Sequence, residues 1–353
     1  DRTLRANRHF TATQRQVCAE SLFGVGLWRR RLSGSPLQQL AQLATLGGCD
    51  DAFTRLGVDP LVATAPTDWR HRYSFPDWIA DRFDARFGAE AAVLADTLNR
   101  PGPVTLRARG ARETLADQLR AVGIETTPTR WAPNGLHVLT PRPNLLGLGP
   151  DFLGTFEVQD EGSQLLGQLL DLQPGDEVLD LCAGAGGKSL QLASRVGPQG
   201  RVHATDIDLE RLERLRTRAS KANVRISIHG ATPPPSLQVE HVLIDAPCSE
   251  LGTLRRGPDL RWRLEPESVT RLAAVQKELL ATGLRHLAPG GRLVYATCTM
   301  TPEENEDVVT HALTFLRLVR PTVPNELLDA RGCLSLAPHR HGTDGFFAAV
   351  FER

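Results

Sequence analysis

Glu177-Val178-Leu179-Asp180-Leu181-Cys182-Ala183-Gly184-Ala185-Gly186-Gly187-Lys188-Ser189 is the stretch on which the fold turns. Residues of strand character run into a glycine-rich turn, and the spacing after Gly187 continues as a helix to about residue 195. Such a strand-to-helix turn lets backbone approach a nucleotide-like ligand. Two ligand chemistries compete for it. A phosphate-cradling P-loop needs glycine six positions before Lys188; Cys182 stands there, so that pattern fails. A nucleoside-binding Rossmann-like site expects an acid at the end of the next strand, roughly 20 residues on, to take the ribose hydroxyls. Asp206, in Ala204-Thr205-Asp206-Ile207-Asp208, fills that position. With no further phosphate-binding run, the turn suits an adenosine ligand lacking a pyrophosphate. S-adenosylmethionine fits, with Lys188 able to pair its carboxylate. The plainer alternative is a tight turn that holds nothing.

Outward from this unit, from about residue 158, strands alternate with helices, the pattern of a parallel sheet. Strands are expected at 177–181, 201–205, 225–228, 241–244 and 292–296, helices at 187–195, 209–222 and 266–286, and closing strands at 333–336 and 346–351. Ligands of an open α/β sheet sit beyond the carboxyl ends of its strands, so the residues just past each strand carry the chemistry. The fourth strand ends in Asp245-Ala246-Pro247-Cys248-Ser249-Glu250-Leu251-Gly252. An acid and a thiol this close are placed for work on a bound base, since a carboxylate can hydrogen-bond the amino group and ring nitrogen of cytosine. Leu254-Arg255-Arg256-Gly257-Pro258-Asp259 then offers two arginines on a rigid loop, suited to a nucleic-acid backbone.

The fifth strand comes after a turn signal, Pro289-Gly290-Gly291, and continues as Leu293-Val294-Tyr295-Ala296-Thr297-Cys298-Thr299-Met300-Thr301-Pro302-Glu303-Glu304-Asn305. Thr301 reads as a helix N-cap, Pro302 as the first helical residue and Glu304 as the capping-box partner. Cys298 therefore lies between a strand end and a helix start, where a thiol's pKa tends to fall. The competing reading is a buried structural cysteine. Cys248 and Cys298 stand at neighbouring strand ends, 50 residues apart.

The N-terminal part is of another character. Helices are expected at 12–30, 37–57 and 76–95, with Arg29-Arg30-Arg31 closing the first, either as a solvated helix end or as a phosphate contact. Asn99-Arg100-Pro101-Gly102-Pro103 breaks the pattern, and a β-α-β-β unit comes next at 104–109, 112–122, 124–130 and 136–139, then a Pro/Gly-rich linker at 141–154. The 353 residues carry no net charge, 41% hydrophobic and 23% charged residues, which describes an ordinary globular protein rather than a strongly basic nucleic-acid binder. No apolar run approaches the ~18 residues of a membrane helix. The six cysteines form no CxxC pair, so free thiols and a cytoplasmic setting are expected. Cys18, Cys49 and Cys333 read as packing, Trp262 as an anchor of its loop, and His339 and His341 without further ligands nearby do not make a metal site.

The combined motifs resemble the Sun/RsmB-type RNA (cytosine-5) methyltransferases. The matching stretches are Val158-Gln159-Asp160-Glu161-Gly162-Ser163-Gln164, 179–189, 245–259, 295–306 and Gly342-Thr343-Asp344-Gly345-Phe346-Phe347, spread over about residues 70–353. The resemblance implies a Rossmann-like class I methyltransferase domain with a mostly parallel seven-stranded sheet at 155–353, an α+β RNA-binding subdomain and linker at 73–154, and a helical region at 1–72, an abbreviated counterpart of the family's NusB-like domain. It implies Cys298 as the nucleophile on C6 of cytosine, Cys248 as the thiol that helps expel the enzyme from the product, and Asp245 as the group holding the base. Cys182, Ala183, Gly184, Ala185, Gly186, Gly187, Lys188, Asp206 and Asp245 would bind S-adenosylmethionine, with no metal, and Lys188, Arg255 and Arg256 would meet the substrate. That substrate would be RNA with an unpaired or flipped cytosine, ribosomal RNA first and transfer RNA second; no protein partner is implied. Where the family carries an acid that contacts adenine, this chain has Ala231, in His229-Gly230-Ala231. The rivals are a catalytically weak RNA-binding assembly factor, which would need neither thiol, and a DNA cytosine methyltransferase, in which a second cysteine in a Thr-Cys motif is not expected.

Overall fold

A computed structural model of the chain describes residues 9–46, 59, 61, 64–141 and 143–353. Cys49 and the second half of the helix expected at 37–57 lie outside the described residues. Contacts divide the chain into two units, Asp1–Pro101 with Leu254–Pro266, and Gly102–Thr253 with Glu267–Arg353.

The first unit is helical. Ala12–Trp28 starts at Thr11, whose hydroxyl accepts from the Gln14 amide while Gln14 Oε1 accepts from the Thr11 amide, a reciprocal cap. Its Val17, Leu27 and Trp28 bury against Leu43 of Pro36–Leu46. Asp77–Phe87 and Ala91–Asn99 enclose Phe75, Ile79, Phe83, Leu94 and Leu98, all essentially buried. Into this core the later segment inserts Arg261, fully buried over the Phe75 ring at 4.0 Å and hydrogen-bonded to Asn99 Oδ1 at 2.9 Å. Burial lowers the Arg261 guanidinium to about 9. Trp262 donates its indole N–H to the Gly26 carbonyl, the anchoring role expected of it.

The second unit holds two sheets. The smaller is built from β1 (Thr105–Ala108), β2 (Thr126–Pro128), β3 (Gly135–Val138) and β4 (Phe156–Val158), antiparallel in the order β2-β3-β1-β4. The sequence indicated the first three; β4 was too short to show a period. The larger sheet comprises β5 (Glu177–Asp180), β6 (Arg201–Ala204), β7 (Ile226–Ile228), β8 (Val239–Asp245), β9 (Leu287–Thr297), β10 (Arg317–Val319), β11 (Leu334–Leu336) and β12 (Phe346–Glu352). Seven run in the order β10-β12-β9-β8-β5-β6-β7, and β11 adds an eighth by pairing with β12. β5 to β9 are parallel; β10, β11 and β12 pair antiparallel.

Alternation along the central strands builds a core on each face. Val178, Leu243, Val294 and Ala296 bury on one side with Leu165, Leu166 and Leu192, while Leu179, Ile244, Leu293 and Tyr295 bury on the other with Leu280 and Val308. The order reverses between β5 and β8, so a crevice opens at the carboxyl ends of these strands.

Two local expectations are corrected. Pro289-Gly290-Gly291 does not precede the fifth strand but lies inside β9, where Val239 pairs with Leu287 and His241 with Arg292. The extra residues form a bulge, with Gly290 at φ +76°. The helix after Cys298 spans Glu306–Ala312, with Asn305 rather than Thr301 at its N-cap and no side-chain cap there. Residues 301–305 are drawn inward instead: Thr301, Glu304 and Asn305 are buried and spend their side chains on loop contacts. Cys298 therefore does not abut a helix N-terminus.

Candidate active site

The glycine-rich turn is fixed from below by backbone bonds, Ala183 N to Thr205 O at 2.9 Å and Gly186 N to Ala183 O at 2.9 Å. Gly184 and Gly186 adopt φ +54° and +87°, and a Cβ on Gly186 would stand 2.1 Å from Leu215 Cδ1. Around a Cβ built on Gly184 or Gly187, by contrast, no atom lies within 4 Å. The turn thus offers bare, pre-shaped backbone to a ligand. Asp206 closes it, with Oδ2 accepting from Gly184 N at 2.8 Å and Oδ1 from Asp208 N at 2.8 Å. Each oxygen keeps a lone pair for another donor. This bare backbone and acid fit a nucleoside. Just past β7, Ala231 is exposed, and the neighbouring His229 ring stacks on His203.

Lys188 points across the crevice. Its ammonium pairs with Asp245 Oδ2 at 2.5 Å and lies 5.9 Å from the Phe346 ring. The group assigned from sequence to a ligand carboxylate is here committed to the carboxylate at the end of β8. Burial lowers the Lys188 pKa, but Asp245 more than offsets this and holds it above the ordinary lysine value.

The two thiols come together. Asp245 and Ala296 are register partners on β8 and β9, and Ala246 N still bonds Ala296 O at 2.8 Å. Just beyond, Cys248 Sγ and Cys298 Sγ approach to 3.4 Å, and the Cys298 amide donates to Cys248 Sγ at 3.3 Å. Gly252 seals the turn: its N–H donates to Cys298 O at 2.9 Å and its carbonyl accepts from Gly345 N at 2.8 Å. The hydrogen bond to Cys298, burial and the nearby Glu304 carboxylate hold the Cys248 thiol well above the ordinary range. Both cysteines remain partly exposed, so a substrate can reach them.

Arg255 and Arg256 belong to the other unit, Arg255 buried and Arg256 exposed. Cys333 is buried, its thiol pushed up to about 12 by burial. The His341 ring accepts from the Ala337 amide at 2.9 Å, a structural role. Among the described residues no cluster of three or more His, Cys, Asp or Glu could hold a metal, and no helix is long and apolar enough to cross a membrane.

Against known proteins, the profile of the 16S rRNA methyltransferase RsmB/F family matches residues 167–352. The chain belongs to this family. A second profile, the ferredoxin-like domain of RsmF/B-like methyltransferases, matches residues 75–144. The chain is 33% identical over 348 residues to ribosomal RNA small subunit methyltransferase B of Serratia proteamaculans, covering 94% of this chain and 76% of that protein. It is 35% identical over 302 residues to the probable ribosomal RNA small subunit methyltransferase B of Synechocystis, covering 80% and 67%. The crystal structure of a methyltransferase homolog protein from Pyrococcus horikoshii aligns with a TM-score of 0.71 at 26% identity, over 83% of this chain and 100% of that one. The family's activity is S-adenosylmethionine-dependent methylation of ribosomal RNA, and the bare turn above Asp206 suits that cofactor.

Several site residues escaped the sequence reading. Asp180, at the end of β5, is buried, accepts from Ser189 Oγ at 2.6 Å and is pushed up to about 7 by burial. Arg218 donates to the Ala185 carbonyl at 2.5 Å and pairs with Glu157, and Arg107 Nη2 reaches Gly187 O at 3.4 Å, so arginines from outside the turn hold its carbonyls. Glu304 was legible only as a cap. Strand position alone could have flagged Asp180, the last residue before the turn; the arginines left no signal.

Proposed function

We propose that the chain methylates carbon 5 of a cytosine in ribosomal RNA through a transient bond between Cys298 and carbon 6. The observation that carries this reading is the pair of thiols 3.4 Å apart at the ends of β8 and β9, beside the Lys188–Asp245 pair. One thiol suffices to form a covalent bond, and the second acquires a use only if that bond must also be broken. Cys298, as thiolate, adds to carbon 6 of an unpaired or flipped cytosine, and the electron pair of the 5,6 double bond moves to carbon 5. Asp245 accepts from the exocyclic amino group, while Lys188 holds the carboxylate in place. The backbone of Cys182 to Lys188 and the Asp206 carboxylate would hold S-adenosylmethionine, which would supply the electrophilic methyl group to carbon 5. Carbon 5 then loses its proton to water, the double bond re-forms and Cys298 leaves. Cys248, held as a neutral thiol by its surroundings, is placed to donate a hydrogen bond to the departing sulfur rather than to compete as nucleophile. The exposed Arg256 is suited to an RNA phosphate, whereas burial withdraws Arg255 from the phosphate contact expected of it from sequence; a ribosomal substrate sets this work in the cytoplasm.

The test uses labelled cofactor and unmodified small-subunit ribosomal RNA with three proteins. Wild type should yield labelled 5-methylcytosine. Cys298→Ala should yield none, and Cys248→Ala should accumulate a covalent protein–RNA adduct that survives denaturing electrophoresis. Wild-type transfer by Cys298→Ala would overturn the nucleophile assignment. Label appearing only in transfer RNA would move the substrate, and RNA binding without transfer to either pool would favour an assembly factor.

A further inference from the structure

Beyond their strand register the loops carrying Cys248 and Cys298 no longer share a β-ladder, and something else must set the gap between the sulfurs. Glu304 occupies that place. Its side chain is fully buried, and its two oxygens take four contacts from three chain segments. Oε1 accepts from the Ser249 amide at 2.8 Å and from Gln276 Nε2 at 3.0 Å; Oε2 accepts from Ser249 Oγ at 2.5 Å and from Thr301 Oγ1 at 2.8 Å. Ser249 Oγ also meets Thr299 Oγ1 at 2.7 Å, and Gln276 Nε2 donates to the Pro247 carbonyl at 2.9 Å. From the other side the Tyr295 hydroxyl donates to the Glu304 carbonyl at 2.6 Å. The residues so tied, Pro247 and Ser249 on one loop and Thr299 on the other, flank Cys248 and Cys298 directly in sequence.

No cation contributes to these contacts, so a buried carboxylate is held by neutral donors alone, an arrangement costly unless every oxygen is satisfied. A stabilising role by itself would be met more cheaply by an apolar side chain. A carboxyl group does what an apolar one cannot: it fixes both loops at defined distances with directional bonds. We propose that Glu304 is a positioning residue that sets the separation of Cys248 and Cys298, and through it the release of product. This rests on the roles proposed for the two thiols.

Two readouts separate the proposal from a merely structural role. The first is geometric and needs no RNA. Diamide removes two electrons and two protons from a pair of thiols, and the initial rate at which Cys248 and Cys298 become a disulfide, followed by peptide mass spectrometry, reports how often the sulfurs meet. The second is the persistence of the covalent RNA adduct. Glu304→Ala should slow disulfide formation about tenfold, the effect of losing one to two hydrogen bonds' worth of restraint, and should prolong the adduct as Cys248→Ala does. Glu304→Asp, one methylene shorter, keeps the charge but withdraws it from Ser249; it should behave like Glu304→Ala and carries the test if Glu304→Ala does not fold. Glu304→Gln can present its amide oxygen to Ser249 N and Gln276 while its NH2 donates to the two hydroxyls, and should restore the wild-type disulfide rate. Unchanged disulfide rates in Glu304→Ala and Glu304→Asp, or a Glu304→Gln as slow as either, would overturn the proposal. If instead the disulfide rate falls as expected but Cys298→Ala still methylates RNA, the positioning role stands and the assignment of the thiols falls.

Discussion

Gly252→Ala puts the geometry of the thiol loops to a direct test. A Cβ on Gly252 would stand 2.2 Å from the Gly345 carbonyl oxygen and 2.8 Å from that of Cys298. Both obstacles are backbone, so neither can swing aside as a side chain would. Relief to an ordinary contact needs roughly 1 Å of displacement, and the Cys298 segment must take part of it. The same movement breaks or stretches Gly252 N to Cys298 O and Gly345 N to Gly252 O. Two backbone bonds at about 1 kcal/mol each, plus about 1–3 kcal/mol for overpacking, less about 0.5 kcal/mol from a stiffer unfolded chain, leave a destabilisation of about 2.5–4.5 kcal/mol. That is below the typical total of about 5–15 kcal/mol, so the variant should fold. Catalysis should suffer more, since displacing a reacting group by about 1 Å can lower the rate about 100-fold. Urea unfolding gives the first quantity and single-turnover methyl transfer the second. A variant that loses under about 0.5 kcal/mol and transfers methyl at the wild-type rate would show that these loops are not packed as described.

Gly187→Ala is the contrasting case: no atom lies within 4 Å of the added carbon and Gly187 starts the helix Gly187–Val196. Its midpoint in urea should match wild type, while S-adenosylmethionine affinity measured by calorimetry should fall about tenfold or more, because the methyl group fills space above the turn; unchanged affinity would mean that the cofactor does not lie over Gly187. Asp180, pushed up to about 7 from 3.8, keeps its proton in the folded state where the unfolded chain has lost it. Stability should therefore fall as pH rises from about 4 through about 7, by up to about 4 kcal/mol at 1.36 kcal/mol per pH unit. Asp180→Asn, which can still accept from Ser189, should remove that slope in thermal unfolding across pH 4–9; a slope equal to wild type would place the titration elsewhere.

The parts of this fold that were legible in sequence are those whose pattern is local. Val178 and Leu179, or Leu243 and Ile244, bury on opposite faces, and a run of apolar residues between turn signals is what a strand covered on both sides must look like. Leu260–Arg263 shows the limit. Trp262 was legible as an anchor, but nothing local marks Arg261, which is buried because Asn99 and Phe75, more than 160 positions earlier, provide an acceptor and a ring face. β4 and β10, three residues each, were not expected from sequence, and each forms on an edge that β1 or β12 offers it. Lys188 was legible as a cation at a ligand turn, but its partner Asp245 is 57 positions away, and only the shared crevice brings them to one ion pair.

Thr301 to Glu304 shows why spacing can mislead. The pattern Thr-x-x-Glu is the same whether the glutamate turns back to cap a helix or turns inward, because in both cases the hydroxyl and the carboxylate come within reach of each other, here at 2.8 Å. What decides between them is the competing donors. At a helix start the carboxylate would meet one backbone N–H and water. Here Ser249, 55 positions earlier, and Gln276, 28 earlier, offer three N–H and O–H groups in a place already closed to solvent. A carboxylate surrounded in this way is not available to a cap, and the helix starts late, at Glu306, for want of one. The pairing of β8 with β9 thus brings Ser249 to Glu304 and, by the same register, Cys248 to Cys298. The missing cap and the paired thiols have one cause, so a chain in which Glu304 turned back to cap the helix would also lose the tie between the two cysteine loops.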